Sequence, residues 1–192
     1  LRLGIGIGWN DVEFEALGEN FNDRGRRSEE QLEVLRALWT QELVNYDGKW
    51  HKITDAGINP LPKQRPIPIW IGGHKDIAVR RAARIADGWL PLFPPSERGA
   101  AKVAQFKQYT ADAGRDMADI GIESWINVGG YDDGFGDQCQ SEESWHEWAN
   151  GWQALGATHM SVNTMKSGYT SIDQHIEKLS QFMSVMSGLQ GS

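Results

Sequence analysis

Short β-prone apolar runs alternate along this chain with stretches whose apolar residues recur at helical spacing. The runs cover residues 2–8 (RLGIGIG), 67–71, 89–93, 122–128 and 159–163. Each is too short for a helix and rich in Ile, Val or Trp, which predicts strands. Between and after them lie stripes at 3.6-residue spacing: Leu32, Leu35, Leu38 and Trp39; Ala78, Ala82, Ile85 and Ala86; Val103, Phe106, Thr110 and Ala113; Trp145, Trp148, Trp152 and Leu155; Ile172, Ile176, Leu179, Met183 and Met186. Each stripe predicts a helix with one buried face. Start signals agree with this reading. Capping boxes stand at Ser28-Glu29-Glu30-Gln31 and Ser171-Ile172-Asp173-Gln174, single caps at Ser96, Ser141 and either His74 or Asp76, and stops at Gly88, Gly114 and Gly156.

Strand followed by helix, five times over, predicts a parallel α/β architecture. Three stretches break the alternation. Residues 11–25 form an acidic loop with room for a helical turn, and residues 129–140 a Gly- and Asp-rich one. Residues 44–65 make an excursion, with hairpin chemistry at Asp47-Gly48 and prolines at 60, 62 and 66 that keep the approach to the second run extended. A complete eight-unit barrel needs roughly 250 residues or a little less, so five units correspond to a partial (β/α)8 barrel. An open five-stranded sheet is the competing reading. Against it, a doubly wound sheet usually carries its phosphate loop on the first strand, whereas the best candidate here follows the second.

Composition narrows the partners. With 192 residues and 40% apolar content the chain reads as a single domain over residues 1–192. A net charge of −7 offers no basic patch for nucleic acid or an anionic membrane. One cysteine, Cys139, excludes an intrachain disulfide, and no long apolar run or signal peptide is present, so the expectation is a cytoplasmic protein. A chain that starts at Leu1 directly on a strand reads as the downstream part of something longer. Unpaired sheet edges in such a partial barrel predict self-association, a homo-oligomer.

The chemistry-bearing candidate is Gly72-Gly73, between a strand's carboxyl end and a helix's amino end, where backbone N–H groups and the helix dipole suit a phosphate. The same glycines could simply make a tight turn. Other signals are weaker. His146-Glu147 lacks the second histidine of a zinc helix, and Asp132, Asp133 and Asp137 lack the spacing of a calcium loop, so no metal is expected. Cys139 follows acidic residues that disfavour a thiolate. His51, His159 and His175 have no evident carboxylate partner in the sequence. Arg24, Arg26 and Arg27 could reach an anion, or pair with Glu29, Glu30 or the acidic loop.

Taken together, RLGIGIGWND, RGRRSEEQLEVLRALWT, VNYDGKWHKI, PLPKQRPIPIWIGG and VRRAARIADGWLP closely resemble the luciferase-like monooxygenase superfamily, especially its coenzyme F420-dependent branch. The resemblance implies a TIM barrel of that type in which the first strand here is the fourth, so that strands 4–8 are present. It implies F420 or FMN as cofactor, with Gly72, Gly73, His74 and Lys75 near its phosphate and Gly8 bordering the ring. Trp9 and Asn10 would then face a small organic substrate. Some deazaflavin sugar dehydrogenases of the family place a catalytic Glu where this chain has Trp9, a departure that argues against the sugar-phosphate reaction. Trp9 is left as a wall against a flat ring or as a packed aromatic, and no catalytic acid or base is identified. The expected activity is that of a flavin- or F420-dependent oxidoreductase or monooxygenase; the alternative is a non-catalytic truncated barrel that self-associates.

Overall fold

Apolar residues on alternate positions of short strands have to be covered on one side, and the helices that follow them provide the cover. A computed structural model describes residues 1–128, 139 and 141–187 of the chain. It resolves into two compact units, Leu1–Ile69 and Trp70–Ser192.

In the first unit, strand β1 (Leu3–Ile5) is followed by helices α1 (Asp11–Ala16) and α2 (Arg24–Thr40), then by the antiparallel hairpin β2 (Val44–Asp47) and β3 (Lys52–Ala56). The Leu3 N–H donates to the Pro68 carbonyl at 2.9 Å, which sets β1 beside the extended segment before the second parallel strand. The sequence places the start of α2 at the Ser28 box, but the helix begins four residues earlier. A 3₁₀ turn over Phe21–Asp23, itself held by the Asn20 side chain, feeds directly into it, and the Ser28 hydroxyl donates to the Gly25 carbonyl instead of capping. The buried face of α2 is Leu32, Val34 and Trp39 with Ser28 and Glu30, while Leu35 and Leu38 are only half-buried.

Glu30 explains that rotation. Its carboxylate accepts the backbone N–H groups of Lys49, Trp50 and His51 at 2.8, 2.8 and 2.7 Å and the His51 ring Nδ1–H at 2.9 Å, so the helix turns an acid toward the hairpin loop. Gly48 is required there, because a Cβ would collide with the Glu30 carboxylate and the Tyr46 ring. Burial disfavours the charged form of Glu30, but the bonds from the His51 ring and the three N–H groups outweigh it and hold the carboxyl below its ordinary value. Tyr46 is pushed up to about 12, by burial first and then by its 2.8 Å hydrogen bond to Glu33.

The second unit carries a parallel sheet of β4 (Ile69–Gly72), β5 (Gly88–Leu90), β6 (Gly121–Asn127) and β7 (His159–Asn163), in that order. Helices α3 (Asp76–Ile85), α4 (Glu97–Asp112), α5 (Glu142–Leu155) and α6 (Ile172–Met186) follow the strands. With β1 the chain has five strand-and-helix units, and its class is the α/β half-barrel. Caps fall as expected at Ser96, Ser141 and Ser171, each accepting a first-turn N–H. Gly156 ends α5 in the left-handed conformation. Trp89, Phe106, Trp145 and Trp152 fill the helix-facing side, with the Trp89 and Phe106 rings stacked at 4.6 Å.

On the opposite face of the sheet one side chain does the filling. Trp70, Gly88 and Gly121 stand in register on three neighbouring strands, and the Trp70 indole lies across both glycines to meet His159 edge-on at 5.0 Å. Gly88 therefore does not stop α3, which ends at Ile85; it opens β5, where no side chain fits under the indole. Arg81, which stands outside the apolar stripe of α3, is nonetheless buried together with Val79, Ala82 and Ala83. Helix α6 departs most from expectation. Ile172, Ile176, Leu179 and Met183 are exposed, and the buried residue is Phe182, against Trp145 at 5.3 Å. The loop 129–140, apart from Cys139, lies outside the described residues, and with it Asp132, Asp133 and Asp137. Among the described residues no helix is long and apolar enough to cross a membrane.

These contacts set two expectations. Gly88→Ala or Gly121→Ala costs about 1–3 kcal/mol by overpacking; in a Trp70→Ala background, itself costing about 3–5 kcal/mol, the Gly88→Ala penalty falls below ~1 kcal/mol, as measured by urea unfolding in a double-mutant cycle. Because the folded-state value of Glu30 is depressed, its contribution is full above its ordinary value of 4.5 and is lost as pH falls below that. The urea midpoint of the wild type therefore drops more steeply below pH 4.5 than that of Glu30→Gln, which is less stable at pH 7.

Candidate functional site

Sites in parallel α/β folds form at the carboxyl ends of the strands. At the end of β4, Ile69 and Ile71 are buried, and Gly72 is the last residue in register, opposite Leu90. Gly73 then takes φ 131°, a conformation side chains rarely adopt, and a Cβ there would press on the Ala78 methyl at 2.9 Å. The backbone of Gly73 is less available than the glycine pair suggests. Its N–H donates to the Leu90 carbonyl at a long 3.4 Å, and its carbonyl accepts the Trp89 indole N–H at 2.9 Å.

What the turn delivers is the start of α3. Neither Asp76 nor His74 caps it; the N-cap is Lys75, with no side-chain cap hydrogen bond. The Asp76 carboxylate instead accepts the Tyr109 hydroxyl at 2.6 Å, the Arg80 Nε–H at 2.8 Å and the Gln105 amide at 3.1 Å, tying α3 to α4. The bonds from Tyr109 and Arg80 hold that carboxyl below its ordinary value. The Ala78 and Val79 N–H groups donate to the Lys75 carbonyl at 2.8 and 3.0 Å, so the first turn offers an oxyanion the N–H groups of Asp76 and Ile77. His74 is half-buried and held below its ordinary value, chiefly by burial and then by the charges of Lys75, Lys102 and Arg98. It lines a cavity of about 340 Å³ together with Leu92, Phe93, Pro94, Ser96, Arg98, Gly99 and Lys102.

Gly72, Gly73, His74 and Lys75 thus gather around one helix start. Gly8, Trp9 and Asn10 belong to the other unit and follow β1. Gly8 has φ 77°, with the Phe14 ring where a Cβ would go, and its carbonyl accepts the Arg24 Nε–H at 3.3 Å. Trp9 is 86% exposed and lies on the surface of its unit. Asn10 caps α1 through the Val12 N–H, and its amide donates to Glu13 at 3.0 Å. Arg24 stacks on Phe21 and Arg27 pairs with Glu19 in the acidic loop. His51, which has no evident partner in the sequence, has one in Glu30.

Sequence reasoning missed a polar set on the face of the sheet that carries Trp70. The Ser161 hydroxyl donates to Glu123, and the Asn163 amide and the Trp125 indole N–H donate to the Asn127 side-chain oxygen Oδ1 at 2.7 and 3.0 Å. The period-two alternation of Glu123, Trp125 and Asn127 in β6 is the signal that could have found it. Arg98 and Lys102 were missed as well; only folding brings them beside His74.

The luciferase-like monooxygenase family model matches residues 1–128. An F420-dependent glucose-6-phosphate dehydrogenase of Segniliparus rotundus is 32% identical over 124 residues, 54% of this chain and 35% of that protein. An FMNH2-dependent dimethylsulfone monooxygenase of Pseudomonas putida is 32% identical over 131 residues, 65% of this chain and 36% of that protein. The chain spans 35–40% of the length of such curated relatives. An F420-dependent secondary alcohol dehydrogenase in complex with an F420-acetone adduct superposes with a TM-score of 0.72 at 16% identity, over 96% of this chain and 69% of that one, which fixes the fold. With the match of residues 1–128 and this fold, the chain belongs to the luciferase-like monooxygenase family.

Proposed function

We propose that the chain serves a flavin- or F420-dependent oxidoreductase or monooxygenase acting on a small organic substrate, in the cytoplasm. The observation that carries this reading is the uncapped start of α3 behind the Gly72-Gly73 turn, with His74 and Lys75 beside it. A phosphate fits that donor set: first-turn N–H groups, the positive dipole end and nearby cations. Gly72 and Gly73 keep side chains out of the approach. Lys75 is exposed and adds a mobile charge; His74 is held largely neutral and offers a ring N–H. On this reading Gly8, Trp9 and Asn10 border the ring or the substrate, the exposed Trp9 indole giving a flat apolar wall. When bound, a reduced flavin or deazaflavin supplies the hydride or the activation of dioxygen. The chain's own part is to anchor, orient and exclude water.

A second reading, a non-catalytic partial barrel that self-associates, is favoured by the exposed apolar stripe Ile172, Ile176, Leu179 and Met183 on α6.

Titration with FMN and with F420, followed by absorbance and fluorescence, is expected to show saturable binding of one of them. Gly73→Ala, strained at φ 131°, should weaken that binding roughly tenfold, about the worth of one charge-assisted hydrogen bond, while leaving binding of the phosphate-free ring compound unchanged. No spectral change with either cofactor at millimolar concentration would remove the enzymatic reading for this chain. Light scattering tests the second reading: it expects a dimer or larger that Met183→Glu shifts toward monomer, and a monomeric wild type sinks it.

A further inference from the structure

We infer that the cavity between the β4 turn and the start of α4 is a binding site for an organic oxyanion, a phosphate or carboxylate carried by a small molecule with an apolar body. It adjoins the α3 start and shares His74 with it, but its other basic groups come from α4, and it stands whether or not a flavin binds.

Three features converge on it. Arg98 and Lys102 lie one helical turn apart on α4 and both line the cavity, with His74 as its third basic group. Their charges reach the imidazole, since Lys102 and Arg98 both help to hold it below its ordinary value, after burial and Lys75. Neither Arg98 nor Lys102 forms an ion pair among the described residues. Lys102 donates only to the neutral Gln105 amide oxygen at 3.0 Å. Asp76 is near enough that the Lys102 charge helps to hold its carboxyl low, but its oxygens are bonded to Tyr109, Arg80 and Gln105, and neither Asp76 nor Glu97 lines the cavity.

Size and lining set the class of ligand. Leu92, Phe93 and Pro94 give the same cavity an apolar lining. The volume of about 340 Å³ is several times what an inorganic oxyanion needs and falls at the lower end of small-molecule sites. Gly99 also lines the cavity, and a Cβ there would collide with the Pro94 carbonyl oxygen. A fork of guanidinium and ammonium beside a neutral imidazole fixes the anion, and the apolar lining takes the rest of the molecule.

The probes are inorganic phosphate and phenyl phosphate, and the reporter is the His74 ring proton in NMR titrations, assigned with His74→Gln. Phenyl phosphate is expected to raise the His74 pKa, because a bound anion offsets the cations that, after burial, depress it, and to bind roughly tenfold more tightly than inorganic phosphate. The double variant Arg98→Gln/Lys102→Gln should lose roughly tenfold or more in affinity for phenyl phosphate, while Lys52→Gln, on the β2–β3 hairpin of the first unit, should change nothing. No response of His74 to either probe overturns the site, as does an unchanged affinity in the double variant. Competition identifies the source of the anion. Displacement of phenyl phosphate by FMN or F420 but not by riboflavin assigns the oxyanion to the cofactor, and simultaneous binding assigns it to the substrate; both outcomes support the site. Phenyl phosphate has no redox ring, so failure here leaves the cofactor reading intact, and failure of flavin binding leaves this site intact.

Discussion

The parallel sheet depends on one indole laid across two glycines. Trp70 occupies the space that side chains at Gly88 and Gly121 would fill, so three strands share a single packing element and their register is fixed together. Shifting any one strand by a residue would put a side chain under the ring and turn every alternate position to the wrong face. The helix-facing side can then be conventional, with stacked Trp89 and Phe106 at its centre. The other face is left with room for polar groups, and Glu123, Ser161, Asn127 and Asn163 occupy it as a hydrogen-bonded set rather than as isolated buried atoms.

Within the first unit a buried acid has the corresponding role. Glu30 substitutes for a backbone partner to three successive N–H groups in the hairpin loop, which a four-residue connection cannot satisfy internally. Both organising groups act at a distance in sequence, and both require glycine opposite them: Gly48 for the carboxylate, Gly88 and Gly121 for the indole. These three glycines are thus explained by packing before any ligand is invoked.

That is also why the sequence was legible in some places and not in others. Strand β7, the cap and stop of α5 and the Ser96 cap of α4 could be read directly, because serine before a helix and glycine after it act locally. Gly88 was misread as a helix stop, since its reason to be glycine is Trp70, eighteen positions away. The Ser28 box failed because a preceding 3₁₀ turn had already started the helix, and the α6 stripe because periodicity gives a face without saying what covers it. At the candidate site the Gly72-Gly73 turn was visible, but the groups it offers were not. Gly73 spends its N–H and carbonyl on Leu90 and Trp89, and the donors pass to α3. Arg98 and Lys102 carry no motif at all, and only the crossover from β5 to α4 brings them to His74.

The Trp89–Gly73 hydrogen bond has a consequence for how such turns persist through descent. An indole fixed in the core by stacking on Phe106 grips the turn from behind, so the unusual backbone at Gly73 is selected by folding alone. A lineage that ceased to bind anything at this place would still keep that glycine, and the motif would outlive the activity. Drift would show first at Lys75, Arg98 and Lys102, which lie outside the buried core.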